Sequence, residues 1–532
     1  MLFNFDFSTS KNLYLFFLII ISFFINYYYG NYGIMPIDSF AFFDSSFMIL
    51  QGKYPIRDFW AFSGILIDFL QAFFFKLLGV NWSSYLIHSS LVNVLVSVFF
   101  FLFLVKKDLN LNLAFIYSII FSSLFYSVSG TPFSYQHSLA FSYLSILSLL
   151  LALHTNKKIF WFLIPIWSTF GFFSNQTPSA YISLLIVFFL IIYFFYFKQK
   201  NFILSFLLGS IFSLCVITLF LFLINFDLKN FFIQTVIFPL TIAKGRIIGV
   251  EDAFLYYPKQ LSFSRFFLNF KFIHFFIIVL IFILYLGFKK KIKPNLGSGD
   301  LLSISTLIFF SYLLINHQIL TANQTFIYSL IPFLAGYANT IYAKRFFKGK
   351  LLLLFFCWLF LLFSFFKYYV LFNERRSFTD LQNFNLKLAG DASIIDKKLN
   401  GLKWITPNFP QNPEQEIKYL KEALNQINSD QRSLMVITHY SFFSAITLKK
   451  IFIPNRWYFG NNTHPDKNHS LFYFYKSYFK NNFDINKIEV IYVVDKWGED
   501  FFNFQQYLDG YCFKKNKINE ITFSFSPEQC KL

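Results

Sequence analysis

The long apolar stretches of this chain are almost free of ionisable side chains. His137 and His274, near the ends of their stretches, and Lys367, toward the end of the last one, are among the few that interrupt them. Ion-coupled pumps and symporters place charges at mid-membrane, where they are costly and mark a pathway, so this scarcity argues against both. A P-loop and a dinucleotide fingerprint are also missing, which leaves nucleotide-driven work and hydride chemistry without a site. Glycine is scarce, at 20 of 532 residues, and only eight of the 46 basic residues are Arg. With Phe, Ile and Asn abundant, that reads as a base-composition bias with little functional content. Of four cysteines, Cys215 and Cys357 fall in apolar stretches as packing residues. Cys512 and Cys530 lie together near the carboxyl terminus, where a disulfide is open, since sequence alone does not give the distance between the sulfurs.

What is present is hydrophobic bulk. At 56% hydrophobic residues, 85 Phe and a mean hydropathy of +0.52, the chain lies far outside the soluble norm and reads as a polytopic membrane protein. The net charge of +19 would suggest nucleic acid in a soluble protein, but here Lys sits in short loops between apolar runs, so the bilayer is the partner and nucleic acid is not. Eleven runs approach the roughly 20 residues a crossing helix needs. They are Leu13 to Tyr29, Ser84 to Val105, Leu113 to Tyr126, His137 to Leu153, Ile159 to Phe173, Ala180 to Phe197, Phe202 to Ile224, Phe272 to Phe288, Leu301 to Ile315, Phe326 to Tyr342 and Leu351 to Leu371.

Alternate loops carry the basic residues: Lys106 and Lys107, Lys157 and Lys158, Lys198 and Lys200, Lys289 to Lys293, and Lys344, Arg345, Lys348 and Lys350. The loops near Gly130, Asn175 and His317 carry none. The positive-inside rule then predicts a cytoplasmic amino terminus and an extracytoplasmic carboxyl terminus. Two long outer loops, 30–83 and 225–271, share the outer side with the tail from Asn373. No small-residue cleavage site follows the first span, which reads as a retained anchor. In the tail, Asn412-Pro413-Glu414 opens a helix to about Ile427. Ser433 to Thr438 and Ile488 to Val494 read as buried strands, with helices near Ser441 to Leu448 and Ser470 to Phe479. The expected fold is an all-α membrane domain over 1–372 with a small α/β extracytoplasmic domain over 373–532.

Polar chemistry concentrates in the first outer loop. Asp38 follows Pro36-Ile37, and Asp44, Gly52-Lys53-Tyr54-Pro55-Ile56-Arg57-Asp58-Phe59-Trp60 and an amphiphilic run from Ile65 to Gly79 come next. The last reads as an interfacial helix. This order of acid, Gly-Lys-Tyr-Pro-Ile-Arg-Asp-Phe segment and Leu78-Gly79 resembles the first periplasmic loop of GT-C glycosyltransferases. The closest likeness is to the bacterial branch related to protein mannosyltransferases and the aminoarabinose transferase of lipid A. The motif covers about forty residues. The resemblance implies a periplasm-facing enzyme of the bacterial inner membrane. It would move a sugar with inversion from a polyprenyl-phosphate carrier to a hydroxyl of a glycan, lipid or protein.

By that resemblance Asp38 is the catalytic base. A phosphate leaves as a stable anion, so one base near the acceptor and cations near the phosphate meet the main demand. Asp58 is a second carboxylate that could orient the acceptor or, with hard oxygen ligands, help hold Mg2+ or Mn2+; the metal requirement stays open. Asp44 is a third candidate. An Asx-turn acid with solvated neighbours is the ordinary alternative for these three. Arg57 is a candidate substrate contact, and Lys244, Arg246, His317 and Gln318 are candidate phosphate contacts, with headgroup anchoring and local hydrogen bonding as the alternatives for these four. Asn175 and Gln176, in one of two Asn-Gln-Thr triplets (175–177 and 323–325), suit sugar hydroxyls or helix capping equally. Arg456 and Trp457 offer a cation and an aromatic face for a sugar. His464, Asp466 and His469 match no strong metal template. A polysaccharide polymerase or ligase, and a non-catalytic flippase or export component, are the competing functions.

Overall fold

The computed structural model describes residues 9–198, 200, 202–249, 256–289, 296–322, 327–345 and 351–530. The triplet at 323–325, most of the Lys289 to Lys293 cluster, and Lys348 and Lys350 lie outside these residues. Among the described residues, ten helices are long and apolar enough to cross a membrane. Nine coincide with expected runs. Two further expected runs form the shorter apolar helices Lys158–Ser174 and Leu330–Ile341. This is the architecture of a multi-pass membrane protein.

Small and amide side chains hold the helices together, as packing in lipid requires. The Asn26 amide donates to Ser89 Oγ, Ser90 Oγ and the Gly130 carbonyl at 3.0–3.1 Å, and Asn93 donates to the Ser22 and Ser122 carbonyls. A Cβ on Gly130 would come within 2.5 Å of Gly30 Cα, so the end of the first helix and the 126–130 turn meet backbone to backbone. At the opposite end of the bundle Lys107 reaches Asp300 at 3.1 Å and His154 at 3.4 Å, joining three turns there.

The segment expected as the second outer loop corrects the sequence reading. Leu228–Ile248 is one continuous helix, interrupted only by a π-turn over Ile233–Ile237. Its length would permit a crossing, yet its contacts hold it along the face that carries the sheet domain. Gln234 accepts from Ala61 N–H and donates to the Ile56 carbonyl, both at 3.0 Å. Phe238 is buried against Trp60 and Phe62, and Thr241 bonds His469 at 2.9 Å.

The tail folds as the alternation predicts. Asn412 caps the helix Pro413–Ser429, whose Ile417, Leu420, Ala423 and Ile427 are buried on one face. Leu434–Thr438 and Val490–Val494 pair in parallel, fully buried. A hairpin, Tyr511–Asn519 and Thr522–Gln529, completes the sheet, its second strand pairing antiparallel with Val490–Val494, and the Cys512–Cys530 disulfide ties its open end. The hairpin has no counterpart in the sequence reading because its edge strand is exposed and Lys-rich, a pattern that protects edges and looks like a loop.

The sheet domain does not close its own core. Phe40 and Phe43 of the first loop and Trp82 and Tyr85 of the next helix pack with Trp404, Tyr440 and Phe442 of the tail; the Phe40 ring lies 5.3 Å from Trp82 and 5.0 Å from Phe442. Backbone bonds add to this, Ile34 N–H to the Ile405 carbonyl and Trp60 N–H to the Pro454 carbonyl. A boundary at residue 373 therefore cuts through a shared core.

Candidate active site

Asp38 lies in the one-turn helix Pro36–Ser39, where Pro36 supplies the preset φ of a first helical position. The Phe40 N–H that would close an Asx turn instead donates to the Pro36 carbonyl. Among the described residues the Asp38 carboxylate accepts no hydrogen bond. It opens onto a cavity of about 510 Å³, within the range of small-molecule sites. Burial pushes its pKa up to about 7, the Asp380 carboxylate adds to the rise, and His439 opposes it. An acid poised near neutrality beside a cavity has the properties of a general base.

The cavity brings together Asp38, Asn175, Gln176, Arg246, His317 and Trp457, which are spread over 420 positions of sequence. The Trp457 indole N–H donates to the Ile37 carbonyl at 3.1 Å, pinning the turn that carries Asp38. His317 is 3% exposed, and among the described residues neither ring nitrogen has a hydrogen-bond partner. Its ring stacks on Tyr135 at 5.0 Å. Arg246 Nε is likewise buried and unpartnered among the described residues. Buried donors left open cost free energy, and a ligand with acceptor oxygens removes that cost. Asn175 lines the cavity without capping the helix Gln176–Phe195. Gln176 is already engaged, donating to the Phe62 carbonyl at 2.6 Å and the Thr235 carbonyl at 3.0 Å, so it ties the wall together.

The other expected site residues are not brought there. Asp44 is buried under the short helix Phe443–Thr447, where Oδ1 accepts Ala445 N–H at 2.8 Å. Burial raises its pKa to about 7 while the Ala445, Ser444 and Phe443 amides pull it back. This is a cap across two parts of the chain, outside the cavity lining. Asp44→Ala is expected to cost about 1–3 kcal/mol by orphaning buried amides, read as a lower melting temperature. Asp58 is held by Arg57 at 2.8 Å and by Tyr54 N–H at 2.7 Å, closing its own turn. Arg57 spends its remaining donors on the Gly52 and Ile224 carbonyls. Arg456 is buried against Asp68 and the Ser63 carbonyl, with Phe42 and Trp457 on its faces at 4.8 and 5.3 Å. Its Nη1 and Nη2 are both engaged there, and Nε is buried without a partner among the described residues, so it braces the wall and offers no bidentate fork. Lys244 is exposed on the side of its helix away from Arg246. Gln318 donates to Tyr135 Oη and acts behind the lining. Asp58 is held by Arg57 and is not in the lining, so it is not placed with Asp38 to hold Mg2+ or Mn2+. His464 and His469 bond Thr463 and Thr241, and no metal-holding cluster forms among the described residues.

No protein-family model matches this chain, and no curated protein matches it either. Several residues at or beside the cavity escape sequence reading. Tyr135 and Tyr181 look like ordinary aromatics of apolar helices, and only packing reveals that they line it. His439 and Asp495 had a usable signal, since each directly follows a buried strand. In a parallel pair, functional groups collect at the carboxyl ends of the strands.

Proposed function

We propose that this chain is an integral membrane glycosyltransferase with inverting chemistry, using a sugar carried on polyprenyl phosphate. The single observation that carries the reading is the division of charge in one cavity. Asp38 lines it with no hydrogen-bond partner among the described residues, and Arg246 and His317 line it with buried ring or guanidinium nitrogens left without partners. In the reaction Asp38 takes the proton of an acceptor hydroxyl as its oxygen bonds the anomeric carbon. The carbon–oxygen bond to phosphate breaks, and polyprenyl phosphate leaves as an anion stabilised by Arg246.

An apolar groove supports a lipid-borne donor. It measures about 290 Å³ and lies between the helices Ile65–Leu78, Lys158–Ser174 and Ile203–Leu223, lined by Ile65, Phe69, Phe173 and Phe220. Its walls continue along the chain into the polar cavity through residues 62–66 and 173–177. The Lys distribution supports a sheet domain on the outer side of the membrane, and the family resemblance supports a bacterial inner membrane, where a periplasmic glycan, lipid or protein hydroxyl would be the acceptor.

The test is reconstitution of the full chain in proteoliposomes with radiolabelled polyprenyl-phosphate hexose. The expected result is release of free polyprenyl phosphate with label appearing on an acceptor. Translocation of the intact lipid with no bond broken would instead identify a flippase and defeat the proposal. In the same assay Arg246→Gln is expected to lower turnover on the order of a hundredfold, with Arg246→Lys recovering part of it, because a point charge replaces only part of a bidentate fork.

A further inference from the structure

His439 and Asp495 each stand one residue beyond a strand of the parallel pair. The register matches Thr438 to Val494, so the next residues are brought side by side. The Nδ1 of His439 lies 2.8 Å from Asp495 Oδ2, and its Nε2 lies 2.9 Å from the Tyr458 carbonyl oxygen. A carbonyl has no proton to give, so Nε2 carries one. The other nitrogen faces a carboxylate that is fully buried and needs a countercharge. With a carbonyl acceptor at one nitrogen and a buried carboxylate oxygen within ion-pair distance of the other, the surroundings favour the imidazolium. Burial works against that charge, but Asp495, the Tyr458 carbonyl and Asp38 outweigh it and raise the pKa of His439 above that of free imidazole.

The same backbone links this ring to the first loop. Tyr458 accepts from His439, and its neighbour Trp457 donates to the carbonyl of Ile37, the residue before Asp38. The charged groups acting on Asp38 are Asp380 and His439, with Arg246, His317, Tyr135 and Tyr181 elsewhere in the cavity lining. Around His439 stand Asp495, Asp38 and the Tyr458 and Phe501 rings. Asp380 opposes ionisation of Asp38, and His439 favours it.

We propose that His439, held as an imidazolium beside Asp495 and the Tyr458 carbonyl, is a positioning residue that favours the anionic form of Asp38 against its burial. The first-loop acid is then competent only when the sheet domain is docked on it. This rests on the reading of Asp38 as the base, and it extends that reading by making the tail part of the catalytic apparatus.

Dicyclohexylcarbodiimide labels protonated carboxyls. Its rate of attachment to the Asp38 peptide, followed by mass spectrometry across pH on the full chain in detergent, reports the ionisation of this group without any substrate. His439→Gln is expected to move the labelling midpoint to higher pH, with labelling faster on the order of fivefold at pH 8, as a one-unit displacement requires. Asp495→Asn is expected to move it in the same direction, and His439→Lys to hold it near the parent value. Protease resistance of the tail and an intact Cys512–Cys530 bond certify folding; where His439→Gln fails that check, Asp495→Asn decides. A folded variant with an unmoved midpoint overturns the inference. Transfer by Asp38→Asn separates the two claims: if that variant still transfers sugar while His439→Gln shifts the midpoint, the base assignment fails and the electrostatic link stands.

Discussion

Asp38→Asn is expected to lower sugar transfer by about 10²–10⁴-fold, the usual contribution of a positioned general base, without loss of folded protein. The amide keeps the shape of the side chain and removes its ability to take a proton. On the proposed function the parent protein should show an acid limb near pH 7, because burial and Asp380 raise this carboxyl to about 7. At pH 6 only about a tenth of it is ionised, and turnover should fall in proportion. The stability effect has the opposite sign. The folded protein holds this proton more tightly than the unfolded chain, so the stability that the group contributes is full below its ordinary value of 3.8 and is lost as pH rises through about 7. The variant escapes that loss and is expected to melt no lower than the parent at pH 8. Parent-level transfer by a folded Asp38→Asn protein would remove Asp38 from the chemistry.

Arg456→Met is expected to have the largest effect on stability, about 3–5 kcal/mol, because it leaves the Asp68 carboxylate charged and fully buried. The pair joins the interfacial helix Ile65–Leu78 to the sheet domain, with Ser45 Oγ donating to the second Asp68 oxygen at 2.6 Å. Its loss should loosen the tail from the first loop, seen as faster proteolysis beyond Asn373 and a lower melting temperature. Transfer should fall with it, since Trp457, the neighbour of Arg456, pins the Asp38 turn. Combining Arg456→Met with Asp68→Leu removes both charges and is expected to recover most of the stability. If Arg456 served a substrate phosphate, the single variant would keep its melting temperature and the double variant would restore nothing.

The helices of the bundle were legible because hydropathy is a local property: a run of apolar residues of the right length has one stable fate in a bilayer. The helix Leu228–Ile248 shows where that logic falls short. It is apolar enough to be a span, yet Gln234, Phe238 and Thr241 bond and pack against the first loop and the tail. Asp38, Arg246, His317 and Trp457 were legible as candidate residues by chemical type and position. Asp44, Asp58, Arg57 and Arg456 carried the same local signal and proved to be caps, turn locks and braces. A buried carboxylate and a cavity-facing one are the same residue type in the same short loop, and their partners across space tell them apart.

Sequence by itself determined the membrane architecture, the strand-and-helix content of most of the tail, and the concentration of reactive side chains at one face. Each follows from local composition, periodicity and charge. Tertiary structure decided which of those side chains meet. A cavity assembled from the first loop, four helices and the tail depends on long-range packing of aromatic side chains, and the pairing of His439 with Asp495 depends on strand register. Neither quantity is encoded in any short stretch of the chain.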